Sequence, residues 1–116
     1  MWTRRCSTEA CFAPVPTSQF GEDGQTHPLF DQQPIEVLAT IDACLTAFRI
    51  TGDAFWKNEA TRAFAWFHGD NCLNVPLISA DGGCFDGLTP HGVNENQGAE
   101  SILAYPLSWV AMKAGL

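Results

Sequence analysis

The chain has 116 residues, enough for one domain at most, with 46% hydrophobic and 16% charged residues, an ordinary globular balance that argues against wholesale disorder. Its net charge of −7 and only six basic residues, with Arg4-Arg5 the one adjacent pair, exclude the clustered cations that nucleic acid or an anionic membrane surface needs. No segment is long and apolar enough to span a bilayer, and no apolar run follows Arg4-Arg5 as a signal peptide would require, so the cytoplasm is the expected compartment.

Residues 1–30 show no sustained period and carry Pro14, Pro16, Gly21, Gly24 and Pro28. They read as an irregular lead-in with a short extended piece around Cys11–Val15, ahead of a helical domain over 31–116. A first helix is predicted from Asp31 or Gln33, with Pro34 in its first turn and Gly52 as the left-handed residue that ends it. Leu38, Ile41, Leu45 and Phe48 fall at the 3-4-3 spacing of one apolar face, while Glu36, Thr40, Ala43 and Ala47 make a small or polar second stripe. Asp53 then caps a second helix over roughly Ala54 to Gly69, with Trp56, Ala60, Ala63 and Phe67 facing inward and Asp53–Lys57 an external i, i+4 pair. The short gap between the two implies a helical hairpin.

The helical period stops between Asn71 and Asn96. Asp81-Gly82-Gly83 is a turn signal between Leu77-Ile78 and Cys84-Phe85, which predicts a small β-hairpin inside a long, polar loop. A third helix is expected from Asn96 or Gln97, with Leu103, Leu107 and Val110 as its apolar face and Glu100 on the same stripe. Pro106 should kink it or end it early, and the abrupt apolar finish at Leu116 reads as a truncation. The fold expectation is all-α: a helical hairpin plus a third helix, with the β-hairpin in the long loop.

The chemistry sits at the mouths of the helices. Asp31-Gln32-Gln33-Pro34-Ile35-Glu36 opens the first, and Asn94-Glu95-Asn96-Gln97-Gly98-Ala99-Glu100-Ser101 opens the third. Carboxylates and carboxamides without nearby cations suit a ligand rich in hydroxyl groups, which donates and accepts hydrogen bonds at adjacent positions. Capping explains part of each run: Asp31 as an N-cap, Glu36 as a favourable charge at the helix dipole, and Gln97 with Glu100 as a capping box. Capping does not explain a carboxylate on an apolar stripe, where Glu100 needs a partner or a ligand. Asp86 reads either as a turn residue or as part of the same polar cleft. The five cysteines, Cys6, Cys11, Cys44, Cys72 and Cys84, form no Cys-x-x-Cys pair, and no two histidines share an i, i+4 relation. Free thiols are therefore expected, with no metal and no cofactor.

Phe30-Asp31-Gln32-Gln33-Pro34-Ile35-Glu36, Thr51-Gly52-Asp53, Trp66-Phe67, Asn71, Gly82-Gly83-Cys84-Phe85-Asp86-Gly87-Leu88 and Asn94 through Ser101, taken as an ordered set over roughly residues 11–112, resemble one group. It is the six-hairpin (α/α) toroid glycosidase-like proteins associated with bacterial glycosyltransferases. The resemblance implies the C-terminal part of such a toroid, with a saccharide ligand in an axial cleft and a glycosyltransferase as a possible partner. It implies that Asp31, Gln32, Glu36, Asp86, Asn96, Gln97 and Glu100 fall at that cleft. A catalytic version would use Asp86 and Glu100 as acid and base, with Asp31 and Glu36 in reserve and Gln32, Asn96 and Gln97 orienting hydroxyls. A non-catalytic saccharide-binding or scaffolding module and an inactive remnant are the alternatives. A partial toroid would also expose faces meant for missing helices, which favours self-association.

Overall fold

The computed structural model describes residues 12–14 and 31–115. Most of the expected lead-in over 1–30 lies outside the described residues, as does most of its extended piece around Cys11–Val15. Phe12, Ala13 and Pro14 are described, and they are buried.

Helix α1 runs Pro34–Thr51. Pro34 opens it because a first-turn residue needs no amide hydrogen, and Gly52 closes it at φ 70°, its N–H donating to the carbonyl of Phe48 at 2.8 Å. The face it buries is Val37, Ile41, Cys44 and Leu45 with Thr40 among them; Leu38 and Phe48 are only half-buried. Thr40 is tolerated there because its hydroxyl donates to the Glu36 carbonyl at 2.8 Å. Helix α2 covers Ala54–Ala65, with the Asp53 carboxylate accepting the Phe55 N–H at 2.9 Å as its cap. It tightens into a 3₁₀ turn at Trp66–His68 that ends on left-handed Gly69, φ 107°. Lys57 does not reach Asp53; it stands 5.9 Å from the centre of the Phe48 ring, and the helix's ion pair is Glu59–Arg62 at 3.4 Å.

Helix α3 spans Ala99–Gly115 and runs through Pro106. Pro106 lies on an exposed side of the helix, where water can serve the carbonyl that loses its partner. The buried side of α3 is Ser101, Ala104, Ser108 and Met112, whereas Leu103, Leu107 and Val110 are exposed, so the expected apolar face is inverted. Small side chains let α3 approach α1 closely: a methyl built on Gly115 would come within 2.8 Å of the Leu45 side chain. Ser108 donates to the Ala104 carbonyl at 2.7 Å, so the small polar face carries no unsatisfied hydroxyl there. Helix α1 packs against both α2 and α3.

The loop between α2 and α3 closes the core. Asn71 is buried and acts as its hub: its amide nitrogen donates to the carbonyls of Trp66 and Val75 at 2.9 and 2.7 Å, and its oxygen accepts from Leu73. The expected hairpin about Asp81-Gly82-Gly83 is reduced to one bridge, Ile78 with Cys84. There Ser79 bonds Asp81 and accepts the Gly83 N–H at 2.9 Å, which makes a compact local turn in place of paired strands. The sheet forms further on, where β1 (Gly87–Thr89) pairs antiparallel with β2 (Gly92–Asn94) in the register Gly87–Asn94, Leu88–Val93 and Thr89–Gly92. Leu88 also exchanges two 2.9 Å backbone hydrogen bonds with Gln32, tying the entrance of α1 to β1.

These observations correct the all-α class and the partial toroid. The described residues form three α-helices with a two-stranded antiparallel sheet. Their core joins Val37, Ile41 and Leu45 of α1 to Trp66 and Phe67, and is covered by Phe12, Leu77, Cys84 and Leu88. Among the described residues, no helix is long and apolar enough to cross a membrane.

Candidate functional site

Where the entrance of α1, the sheet and the first turn of α3 meet, they enclose a cavity of about 340 Å³. Asp31, Gln32 and Gln33 line it from the first segment, Asp86 through Thr89 with Asn94 from the sheet, and Gly98 through Ser101 from α3. Its size is at the low end for small-molecule sites. Two backbone devices set its shape. The Gln32–Leu88 bridge fixes the distance between the first two walls, and a side chain on Gly87 could not survive there: a methyl would overlap the Gln32 carbonyl oxygen and stand 3.3 Å from its carbon. Asp86 fixes the third wall, its N–H donating to the carbonyls of Asn94 and Asn96 at 3.1 and 2.8 Å, and its Oδ1 accepting the Gly98 N–H at 2.8 Å. A carboxylate in that position also satisfies the positive end of the helix that begins at Ala99.

Of the residues singled out from the sequence, Asp31, Gln32, Asp86 and Glu100 line the cavity. Gln32 does so while its side chain is committed to the core: it is fully buried, its Oε1 accepts the Trp66 indole N–H at 2.9 Å, and its Nε2 donates to the Cys72 sulfur at 3.4 Å. Three of the expected residues are not in the lining. The Asn96 backbone completes the turn before α3, its N–H donating to the Asn94 side-chain oxygen at 3.1 Å. Gln97 lays its amide against Gly83, where a methyl would come within 2.8 Å of its Cδ. Glu36 is half-buried in the first turn of α1; burial pushes its carboxyl above the ordinary glutamate range, and the charge of Glu100 pushes the same way.

The sequence reading missed Gln33, Thr89 and Asn94 as lining residues. Gln33 lay within the first run singled out and Asn94 opened the second, but Thr89 carried no signal before the register of the sheet was known. Cys84, two residues before Asp86, is buried, which with the nearby Asp86 charge raises its thiol to about 12 and leaves it inert. Among the described residues no three His, Cys, Asp or Glu side chains gather as a metal cluster. The cavity therefore offers three carboxylates (Asp31, Asp86 and Glu100) beside the amides of Gln33 and Asn94. This arrangement can accept several hydrogen bonds and return a few, as a polyhydroxyl ligand requires. No protein-family model matches the sequence, and no curated protein matches it.

Proposed function

We propose that the chain is a carbohydrate-active piece whose cavity binds a saccharide. The observation that carries this reading is the convergence of Asp31, Asp86 and Glu100 with two carboxamides on one small cavity whose described lining holds no cation. The ordered motifs that resemble the glycosyltransferase-associated glycosidase-like group support the same ligand class. Asp31 and Glu100 are the ligand-facing carboxylates, because Asp86 already holds Gly98. Titrating the isotopically labelled chain with a panel of neutral mono- and disaccharides tests the proposal. Amide shifts confined to Asp31–Gln33, Leu88–Thr89 and Gly98–Ser101 are expected, and Asp31→Asn with Glu100→Gln should abolish them. A panel that moves none of these amides would sink the reading.

A catalytic version, with Asp86 and Glu100 as acid and base, is the second reading. It is favoured by the presence of both carboxylates in the cavity lining. Turnover of an aryl glycoside that survives Asp86→Asn and Glu100→Gln would rule out that assignment.

A further inference from the structure

The cavity carries more negative charge than the described residues neutralise. Asp31, Asp86 and Glu100 line it, and no Lys, Arg or His stands in the described lining. The Lys and Arg side chains of the described residues are all engaged elsewhere. Arg49 donates to the Thr46 hydroxyl at 3.1 Å, and Lys57 stands over the Phe48 ring. Arg62 pairs with Glu59 at 3.4 Å, and Lys113 stands 4.9 Å from the centre of the Trp109 ring. The positive ends of α1 and α3 contribute roughly half a charge each, so about two negative charges stay uncompensated at the cavity. Glu36 registers this field: burial raises its carboxyl, and the Glu100 charge raises it further. An inorganic ion is poorly matched to that charge. The three carboxylates come from separate walls, and among the described residues no three His, Cys, Asp or Glu side chains gather round a point as metal ligands.

We propose that the ligand of this cavity is an amino sugar, a mono- or disaccharide with a free, protonated primary amine; the inference rests on the saccharide reading and narrows it. An ammonium is a compact charge with three N–H donors, which acceptor-only carboxylates on different walls can share. Asp31 and Glu100 are the exposed pair that meets it, whereas Asp86 is tied to Gly98 through Oδ1. Gln33 and Asn94, which donate as well as accept, serve the hydroxyls of the same ring. A neutral sugar would leave the excess charge without a partner, and an acidic sugar would add to it. An amine without a sugar ring would meet the carboxylates and leave both carboxamides unused.

Amide shifts of the isotopically labelled full chain, titrated with glucose, N-acetylglucosamine and glucosamine, test it. At about pH 6 a primary amine is protonated and exposed carboxylates are ionised, while acetylation removes the charge from the same nitrogen. Glucosamine is expected to bind about five- to twentyfold more tightly than either neutral sugar at low salt. That advantage should shrink to under about twofold in about 0.5 M NaCl, where exposed charges are screened within a few ångströms. Glu100→Gln, with its correlation spectrum as the check on folding, should lower the glucosamine-to-glucose affinity ratio by about threefold or more. Neutral sugars that bind as tightly as glucosamine would overturn the inference and leave the saccharide reading standing. A ratio untouched by both Glu100→Gln and Asp31→Asn would overturn it as well, and so would ethanolamine binding as tightly as glucosamine, since the ring would then contribute nothing. If no sugar of either kind moved the cavity's amides, the inference and the saccharide reading would fall together.

Discussion

Replacing Gly87 with alanine is the sharpest test of how the cavity is built. Gly87 has φ 155°, and a methyl there would overlap the carbonyl oxygen of Gln32, which belongs to the backbone and cannot rotate away. Relief requires the Gln32 strand to move off β1, breaking the two 2.9 Å hydrogen bonds it shares with Leu88. Those two bonds are worth about 0.5–1.5 kcal/mol each. Holding alanine at a positive φ adds about 1–3 kcal/mol of strain. The expected loss is therefore about 2–6 kcal/mol, a large fraction of the stability of a domain this size. Gly92→Ala is the control, since Gly92 also has a positive φ of 133° but nothing stands within 4 Å of its added methyl. Urea unfolding followed by tryptophan fluorescence, with Trp66 bonded to the same Gln32, measures both variants. The difference between them isolates the clash, at about 1–3 kcal/mol. Equal losses for Gly87→Ala and Gly92→Ala would refute the close approach of Gln32 to β1.

Gln32→Ala should cost about 2–4 kcal/mol in the same urea assay, because it opens a void and leaves the buried Trp66 indole N–H without its 2.9 Å acceptor; a loss under about 0.5 kcal/mol would contradict that role. Asp86→Asn keeps an oxygen for the Gly98 N–H and should shift stability by less than about 0.5 kcal/mol, whereas Asp86→Ala should cost about 1 kcal/mol by thermal unfolding. Cys84, buried and raised to about 12, should resist iodoacetamide at neutral pH and label only in denaturant, as mass mapping of the alkylated peptides would show. Glu36 has a raised folded-state pKa, so its contribution favours the fold fully below the ordinary glutamate value and is lost as pH rises through the raised one. Glu36→Gln should therefore gain on the parent as pH rises from the ordinary glutamate range toward neutrality, and a flat or falling difference would be the contrary result.

What was legible in the sequence was whatever the local chain decides. Pro34, Gly52 and Asp53 mark the ends of α1 and the start of α2, since caps and left-handed residues act within a few positions of themselves. The side on which a helix packs was less accessible. Leu103, Leu107 and Val110 have helical spacing, but so do Ser101, Ala104 and Ser108, and the small set wins because it allows α3 to approach α1 and Leu45 closely. Hydrophobicity alone points to the wrong face when close approach decides the packing. The sheet was misplaced for a related reason: Asp81-Gly82-Gly83 is a good turn, but Ser79 folds it locally, while β1 pairs with β2 across Pro90-His91 and is bridged on its other side by Gln32, which lies far away in sequence. For the site, Asp31, Asp86 and Glu100 were visible as carboxylates at helix mouths. Gln97 belongs to the same run but packs elsewhere, and a sequence cannot separate an amide that lines a cavity from one that covers a turn.

The cavity is held by the same kinds of residue that would fill it with ligand contacts, and this division of labour bears on how it works. Gln32 and Asp86 are polar, central and conspicuous, yet each has a structural bond: one holds Trp66 and Cys72, the other holds Gly98. Their work is to bring three distant segments to one place and keep them there, which leaves Asp31 and Glu100, both exposed, on opposite walls. A ligand reaching both would clamp the entrance of α1 to the first turn of α3, adding to what the Gln32–Leu88 bridge and the Asp86 cap already do. Binding and folding are then linked: a ligand at a hundred times its dissociation constant would raise stability by about 2.7 kcal/mol, similar to the loss expected from Gly87→Ala. The cavity's walls and its occupant thus draw on the same few interactions, so saccharide should partly rescue a variant whose bridge is damaged but whose rim carboxylates remain.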